Sequence, residues 1–359
     1  MPVSFEHGKK KGQVLFTKAV TKIPNNDPLL KLNIGETAVF RTGYPASVLA
    51  ALGKSIHAKR LKTRDRLGLI RDVFALAENG TQSAATALEF AAGYKKETEY
   101  VVWSEIVGGL GKLYSIFGKE SYIAKFETHA LTLLAEIGKK ITWTSKPKDH
   151  SAALLKVLIL EAQGKYGDKK TIGHARKLFA AVTEKKNAIP ADLRGVVYNT
   201  VARNGSASDY AKLLKLYKAA ALHEEKNRIG RALGMFKQKE LLQKTLALAI
   251  SNAVRKQDST RMIAIVSINP HGRDIAWQFI KRNWKLLNER YAGSRDLAHL
   301  FEPFSVSTAL SQAKEIQQFL KKNPAPGTER TEQQVLEHIY SNAAWLARER
   351  KTLGAYLRG

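Results

Sequence analysis

The sequence contains no cysteine, which excludes disulfides, thiolate metal sites and a cysteine nucleophile and agrees with an intracellular origin. It has no apolar run of the length needed to cross a bilayer. Its first residues, MPVSFEHGKKKG, lack the apolar core of a signal peptide. A cytoplasmic location with no membrane partner is therefore expected. Acidic residues are scarce: 32 Asp and Glu stand against 59 Lys and Arg, a formal net charge of +27. Such a field attracts polyanions and makes binding to them sensitive to salt. The lysine runs at Lys9-Lys10-Lys11, Lys169-Lys170, Lys185-Lys186 and Lys321-Lys322 are spread along the chain, so they read as solvated positions rather than one nucleic-acid tail.

Catalytic patterns are missing too. The nine histidines include no pair three or four residues apart, the spacing a helical zinc site needs. The nearest approach is His223-Glu224-Glu225-Lys226-Asn227, where Asn227 stands in place of the second histidine. Lone histidines such as His129 and His338 read as structural or exposed. Gly108-Gly109-Leu110-Gly111-Lys112 has neither the spacing nor the Ser or Thr of a phosphate loop, and close helix packing accounts for it better. There is no Gly-x-Ser-x-Gly elbow, and the acidic residues are too scattered to form a carboxylate pair. No catalytic residue, metal site or cofactor is expected.

What is present is helix. At 44% hydrophobic and 25% charged residues the chain is of ordinary globular composition and long enough for an elongated array or two domains. The opening segment reads as about four short strands, around Val3 and Phe5, Val14 to Phe16, Leu30 to Leu32 and Ala38 to Phe40. From Pro45 onward helical periodicities separated by short breaks run to the end. The expected fold is mainly α: a superhelical, HEAT- or armadillo-like array of about fifteen helices with a small N-terminal sheet. Residues 1–44 are expected to form a small sheet that either leans on the following helices or is the remnant of a β-sandwich, and 45–359 the helical domain.

The strongest pattern is His271 to Tyr291. Trp277, Ile280, Trp284, Leu287 and Tyr291 recur at three- and four-residue steps, so one stripe of a single helix must be buried. Arg273, Lys281, Arg282 and Lys285 are read as the opposite, cationic side and are the candidate binding residues.

Several stretches carry a resemblance in matching order: LLKLNIGETAVFRTGY (29 to 44), TRDRLGLIRDVFALAENG (63 to 80), YVVWSEIVGGLGKL (100 to 113), IPADLRGVVYNTVARNG (189 to 205), HEEKNRIGRALG (223 to 234), HGRDIAWQFIKRNW (271 to 284), NPAPGTERTEQQ (323 to 334) and NAAWLARER (342 to 350). Over nearly its whole length the chain is similar to the carboxyl-terminal part of gluzincin-type zinc metallo-aminopeptidases, most closely the puromycin-sensitive branch. The resemblance implies the end of a small β-sandwich followed by a helical bowl that encloses a substrate chamber, holds the distal part of a peptide and shifts between open and closed states. The family's zinc and Gly-x-Met-x-Asn motifs belong to the preceding domain and do not occur here, so no catalytic role transfers. The positions that do transfer, Asp65, Arg66, Trp103, Trp277, Trp284 and Trp345, are assigned to packing and helix junctions. The resemblance thus implies a non-catalytic domain binding a peptide or a partner chain in its concavity. The strong basicity departs from the family pattern and supports the alternative, a scaffold for nucleic acid or another polyanion.

Overall fold

Short strands persist only where a neighbour satisfies their backbone, and the amino terminus shows where that stops. In the structure, a computed structural model that describes residues 1–7, 10–23, 29–182 and 189–359, β1 (Pro2–His7) lies between β2 (Lys10–Leu15) and β3 (Leu30–Leu32), antiparallel to both. The expected fourth strand at 38–40 does not form. The Asn33 side chain takes the Ala38 N–H and donates back to the Ala38 carbonyl, both at 2.9 Å, while Val39 is fully exposed. A local side-chain bond has replaced the ladder. Lys9, Lys185 and Lys186 of the lysine runs lie outside the described residues.

Beyond the sheet the described residues are mainly helical, and among them no helix is long and apolar enough to cross a membrane. The chain divides into two compact units, Met1–Ala162 with Arg348–Gly359, and Gln163–Ala347.

The first unit contains the sheet, α1 (Ala46–His57), α2 (Thr63–Asn79), α3 (Ala84–Ala91), α4 (Tyr100–Phe117), α5 (Ile123–Lys140) and most of α6 (His150–Lys165). α2 is its hub, packing on both α3 and α4. Gly109 on α4 is the close-packing position anticipated for the glycine run, since a Cβ there would stand 2.5 Å from the Phe74 ring on α2. The sheet is held to α2 by polar bonds. Asp65 accepts the Gly35 N–H at 2.7 Å, and buried Lys31 lies 3.0 Å from Glu36 and 3.8 Å from Asp65. Deeper in, Arg66 meets Glu97 through two bonds of 2.6 and 3.1 Å. Glu97 also accepts the N–H groups of Thr98 and Glu99, and its carbonyl takes the Trp103 indole N–H. Burial alone would push the Glu97 carboxyl up. The Arg66 guanidinium and those two N–H groups outweigh it and hold the carboxyl below its usual range.

The second unit begins with the end of α6 and continues through α7 (Lys169–Val182), α8 (Arg194–Arg203), α9 (Ala207–Ala219), α10 (His223–Leu233), α11 (Lys239–Ala249) and α12 (Lys256–Ile268). Neighbours in sequence pack on one another. Ser206 and Asp209 form a reciprocal capping box at the start of α9. The expected single helix over 271–291 is two, α13 (Arg273–Arg282) and α14 (Trp284–Tyr291). It breaks at Asn283, whose φ of −104° and ψ of 17° leave the helical region; its side chain and its own N–H both donate to the Phe279 carbonyl, at 2.9 and 3.0 Å. The predicted stripe is buried all the same: Trp277, Ile280, Trp284, Leu287 and Tyr291 are at most 9% exposed. After two 3-10 turns, Arg295–Leu300 and Glu302–Val306, come α15 (Leu310–Lys322) and α16 (Glu329–Arg358), the last of which also supplies the final residues of the first unit. All six transferred positions named above are buried.

Two outcomes follow from this packing. Trp284→Ala should lose about 3–5 kcal/mol in denaturant unfolding, as a large-to-small change in a packed site; an unchanged midpoint would place the indole in solvent. Glu97→Gln should destabilise by roughly 3–5 kcal/mol at neutral pH, because Arg66 is left buried without its counter-charge. The Glu97 carboxyl is lowered in the folded state, so its stabilisation is complete above the ordinary value of 4.5 and is lost as pH falls through the lowered one. The gap between parent and variant should therefore close in acid, and a gap that stays constant to pH 2 would contradict the pairing.

Candidate functional site

The cationic row does not survive as a single surface. Arg273 precedes Trp277 by four residues and Lys281 follows it by four, so both share the face of the buried indole. Arg273 is accordingly buried, 7% exposed, and is not part of a solvated side. Its Nε and Nη2 have no hydrogen-bond partner among the described residues, and burial pushes the guanidinium's pKa down while Asp274 partly opposes this. Lys281 is committed as well: its ammonium lies 5.8 Å from the centroid of the Trp277 ring and pairs with Glu315 on α15. Arg282 and Lys285 alone of the four are exposed and without an ion pair among the described residues.

The other candidates resolve into structural roles. In the near-match to a zinc motif, Arg228 pairs with both Glu224 and Glu225, and Glu225 also accepts from the Tyr198 hydroxyl at 2.8 Å. His129 stands edge-on to Tyr356 with ring centroids 5.8 Å apart, and burial, with Lys95 nearby, lowers its pKa. Among the described residues no group of three or more His, Asp or Glu is disposed to hold a metal ion.

Among the described residues each unit also holds a cavity. The first, of about 450 Å³, has an apolar floor of Leu49, Gly53, Phe90 and Gly93 on α1 and around the end of α3, with Lys54 and Glu89 at its edge. The second, of about 570 Å³, is polar and lies where the loop after α14 meets the first turns of α16; Ser294, Arg295, Glu302, Arg330, Thr331 and Gln334 line it. Neither was singled out by periodicity. The Gly293-Ser294 break and the Pro326-Gly327 linker mark the second cavity in the sequence only as loops.

The fold is that of a helical domain without an assembled catalytic constellation among its described residues, and comparison with known proteins gives its family. Residues 29–341 match the ERAP1-like C-terminal domain. The chain is 30% identical over 351 residues to the alanine/arginine aminopeptidase of Saccharomyces cerevisiae, covering 96% of this chain and 41% of that protein. It is 30% identical over 327 residues to aminopeptidase M1-C of Oryza sativa subsp. japonica, covering 88% and 37%. To the glutamyl aminopeptidase of Sus scrofa it is 30% identical over 341 residues, covering 92% and 36%. The chain belongs to the ERAP1-like C-terminal domain family, a carboxyl-terminal part of M1 aminopeptidases. It spans about two fifths of the length of the curated relatives it matches.

Arg273 yields a test of its own. A buried guanidinium short of partners should be replaceable by an apolar residue of similar reach, so Arg273→Met should leave stability unchanged or raise it by up to about 4 kcal/mol in denaturant unfolding. A loss of several kcal/mol would show that the guanidinium is fully paired.

Proposed function

We propose that the chain acts as a non-catalytic domain of an aminopeptidase-type protein, binding a peptide or a partner chain on a concave helical surface. The observation that carries this reading is the family match over residues 29–341, together with relatives that are aminopeptidases. A HEAT-like stacking of helix pairs, with 45–359 as the bowl and 1–44 as the end of a β-sandwich, belongs to the same proposal. It is supported by a recurrence in the bonds between elements: Gln238 to Gly205, Asn269 to Phe236, Tyr210 with Thr245, Tyr291 to Lys256 and Asn342 to Ser307 all join residues 33 or 35 apart. Kinship with the puromycin-sensitive branch and a cytoplasmic location are part of the proposal.

The net charge of +27 favours a second reading, a scaffold for nucleic acid or another polyanion. A salt series of binding to a short duplex and to an acidic peptide separates the two. If the duplex is the ligand, Lys281→Ala/Arg282→Ala/Lys285→Ala should flatten the salt slope by roughly two units, about one for each exposed cation removed, because Lys281 is already engaged by Glu315. Equal and negligible affinity for duplex and acidic peptide at physiological salt dismisses the polyanion and leaves the peptide reading standing alone. Release of an amino acid from an aminoacyl reporter would contradict the non-catalytic assignment.

A further inference from the structure

We infer that the polar cavity of the second unit is a binding site for a phosphate monoester of a small organic molecule, held between Arg295 and Arg330. The inference stands apart from the peptide reading, because the residues that carry it are not those of the helical face.

Two separate segments build the cavity. Arg295 opens the 3-10 turn after Gly293-Ser294, and Arg330, Thr331 and Gln334 stand at one, two and five residues into α16, so they share one side of its first turns. The walls are fixed from behind. The Ser294 hydroxyl donates to the Tyr291 carbonyl at 2.8 Å, and the Gly327 N–H donates to the Glu329 carboxylate at 3.0–3.1 Å. Leu297, directly after the Arg295 turn begins, is 1% exposed and anchors it.

Neither arginine is neutralised. Among the described residues, the Arg295 and Arg330 side chains make no hydrogen bond or ion pair, although carboxylates are close by. Those carboxylates are engaged elsewhere: Glu302 on the cavity wall is 2.8 Å from His299 Nδ1, and Glu329 is turned onto the Gly327 N–H. The N-terminus of α16 adds partial positive charge on the same side, which Glu329 and Glu332 in its first turn offset. The cavity thus presents two free guanidinium forks, a hydroxyl and an amide, facing a space that holds no counter-charge other than Glu302.

The number of forks selects the ligand. A planar carboxylate has a single O–C–O edge for a bidentate fork, so a second guanidinium reaches only an outer lone pair. A phosphoryl group offers three terminal oxygens in a tetrahedron, enough to engage both forks and the Thr331 hydroxyl together. The volume of about 570 Å³ exceeds what inorganic phosphate fills and is within the range of small-molecule sites, so the fourth oxygen has room to carry an organic group beside Gln334.

The test is calorimetric titration of the whole chain, at fixed ionic strength, with ribose 5-phosphate, inorganic phosphate, ribose and citrate. Ribose 5-phosphate should bind saturably at one site, inorganic phosphate at least several-fold more weakly, and ribose not at all. Both arginines are exposed, so Arg295→Gln and Arg330→Gln should melt like the parent and each weaken ribose 5-phosphate at least tenfold. Arg330→Lys keeps the charge but loses the fork and should also weaken it, while Arg282→Ala/Lys285→Ala should bind as the parent does. No saturable binding of ribose 5-phosphate, equal affinity in the arginine variants, full recovery in Arg330→Lys, or citrate binding as tightly as the ester would each overturn the inference.

Discussion

The second unit depends on one aromatic contact set. Phe319 on α15 sits edge-on to both indoles, with centroids 5.4 Å from Trp277 and 5.4 Å from Trp284. Phe304 and Phe301 close it from the 3-10 turns, at 5.4 Å from Trp277 and 5.8 Å from Trp284. Each such pair adds about 0.5–1.5 kcal/mol beyond the area it buries. More to the point, five rings from α13, α14, α15 and the turns between them have one mutual arrangement. That arrangement sets the direction in which the chain leaves α14, and with it the position of the Arg295 turn at the polar cavity. The break at Asn283 is tolerated because the indoles on either side of it are held by the same phenylalanine.

The first unit is organised by polar clips instead. Arg348 donates to the carbonyls of Ala77 and Glu78 at the end of α2, and Glu349 accepts the Ala84 N–H at the start of α3. A cation thus meets a helix C-terminus and an anion a helix N-terminus, the pairing that the two helix dipoles favour. Charge is used sparingly in the interior. Lys31, Arg66, Lys156 and Arg273 are the buried bases and Asp65, Asp72, Glu97 and Glu349 the buried acids among the described residues, so they cancel in number. The positive excess among the described residues therefore lies outside the buried interior, where it can meet a ligand.

Periodicity in the sequence made the helical class, the small sheet and the buried stripe of Trp277 to Tyr291 readable, because a stripe of large apolar groups has one physical solution. It failed where short-range polar bonds decide the outcome. Asn33 redirects the backbone with its side-chain amide, removing a strand at 38–40, and the helix divides at Asn283 where the backbone leaves helical geometry; nothing in an apolar pattern reveals either. Arg273 reads as solvated by its charge, yet its four-residue step to Trp277 puts it on the buried side, where register outweighs charge. The polar cavity was invisible because it joins residues from separate loops. The Arg348-Glu349 clip was legible only as part of a family resemblance, without its role.

The proposed function has this domain hold a polypeptide through its helices rather than attract any polyanion through its charge. Hydrogen-exchange mass spectrometry with an uncharged ten-residue peptide at physiological salt tests it most directly, since such a ligand gains nothing from the surface field. The account predicts saturable protection confined to a contiguous set of helices and unchanged when the salt is doubled. Uniform exchange with and without the peptide, alongside protection by a short duplex, would contradict it.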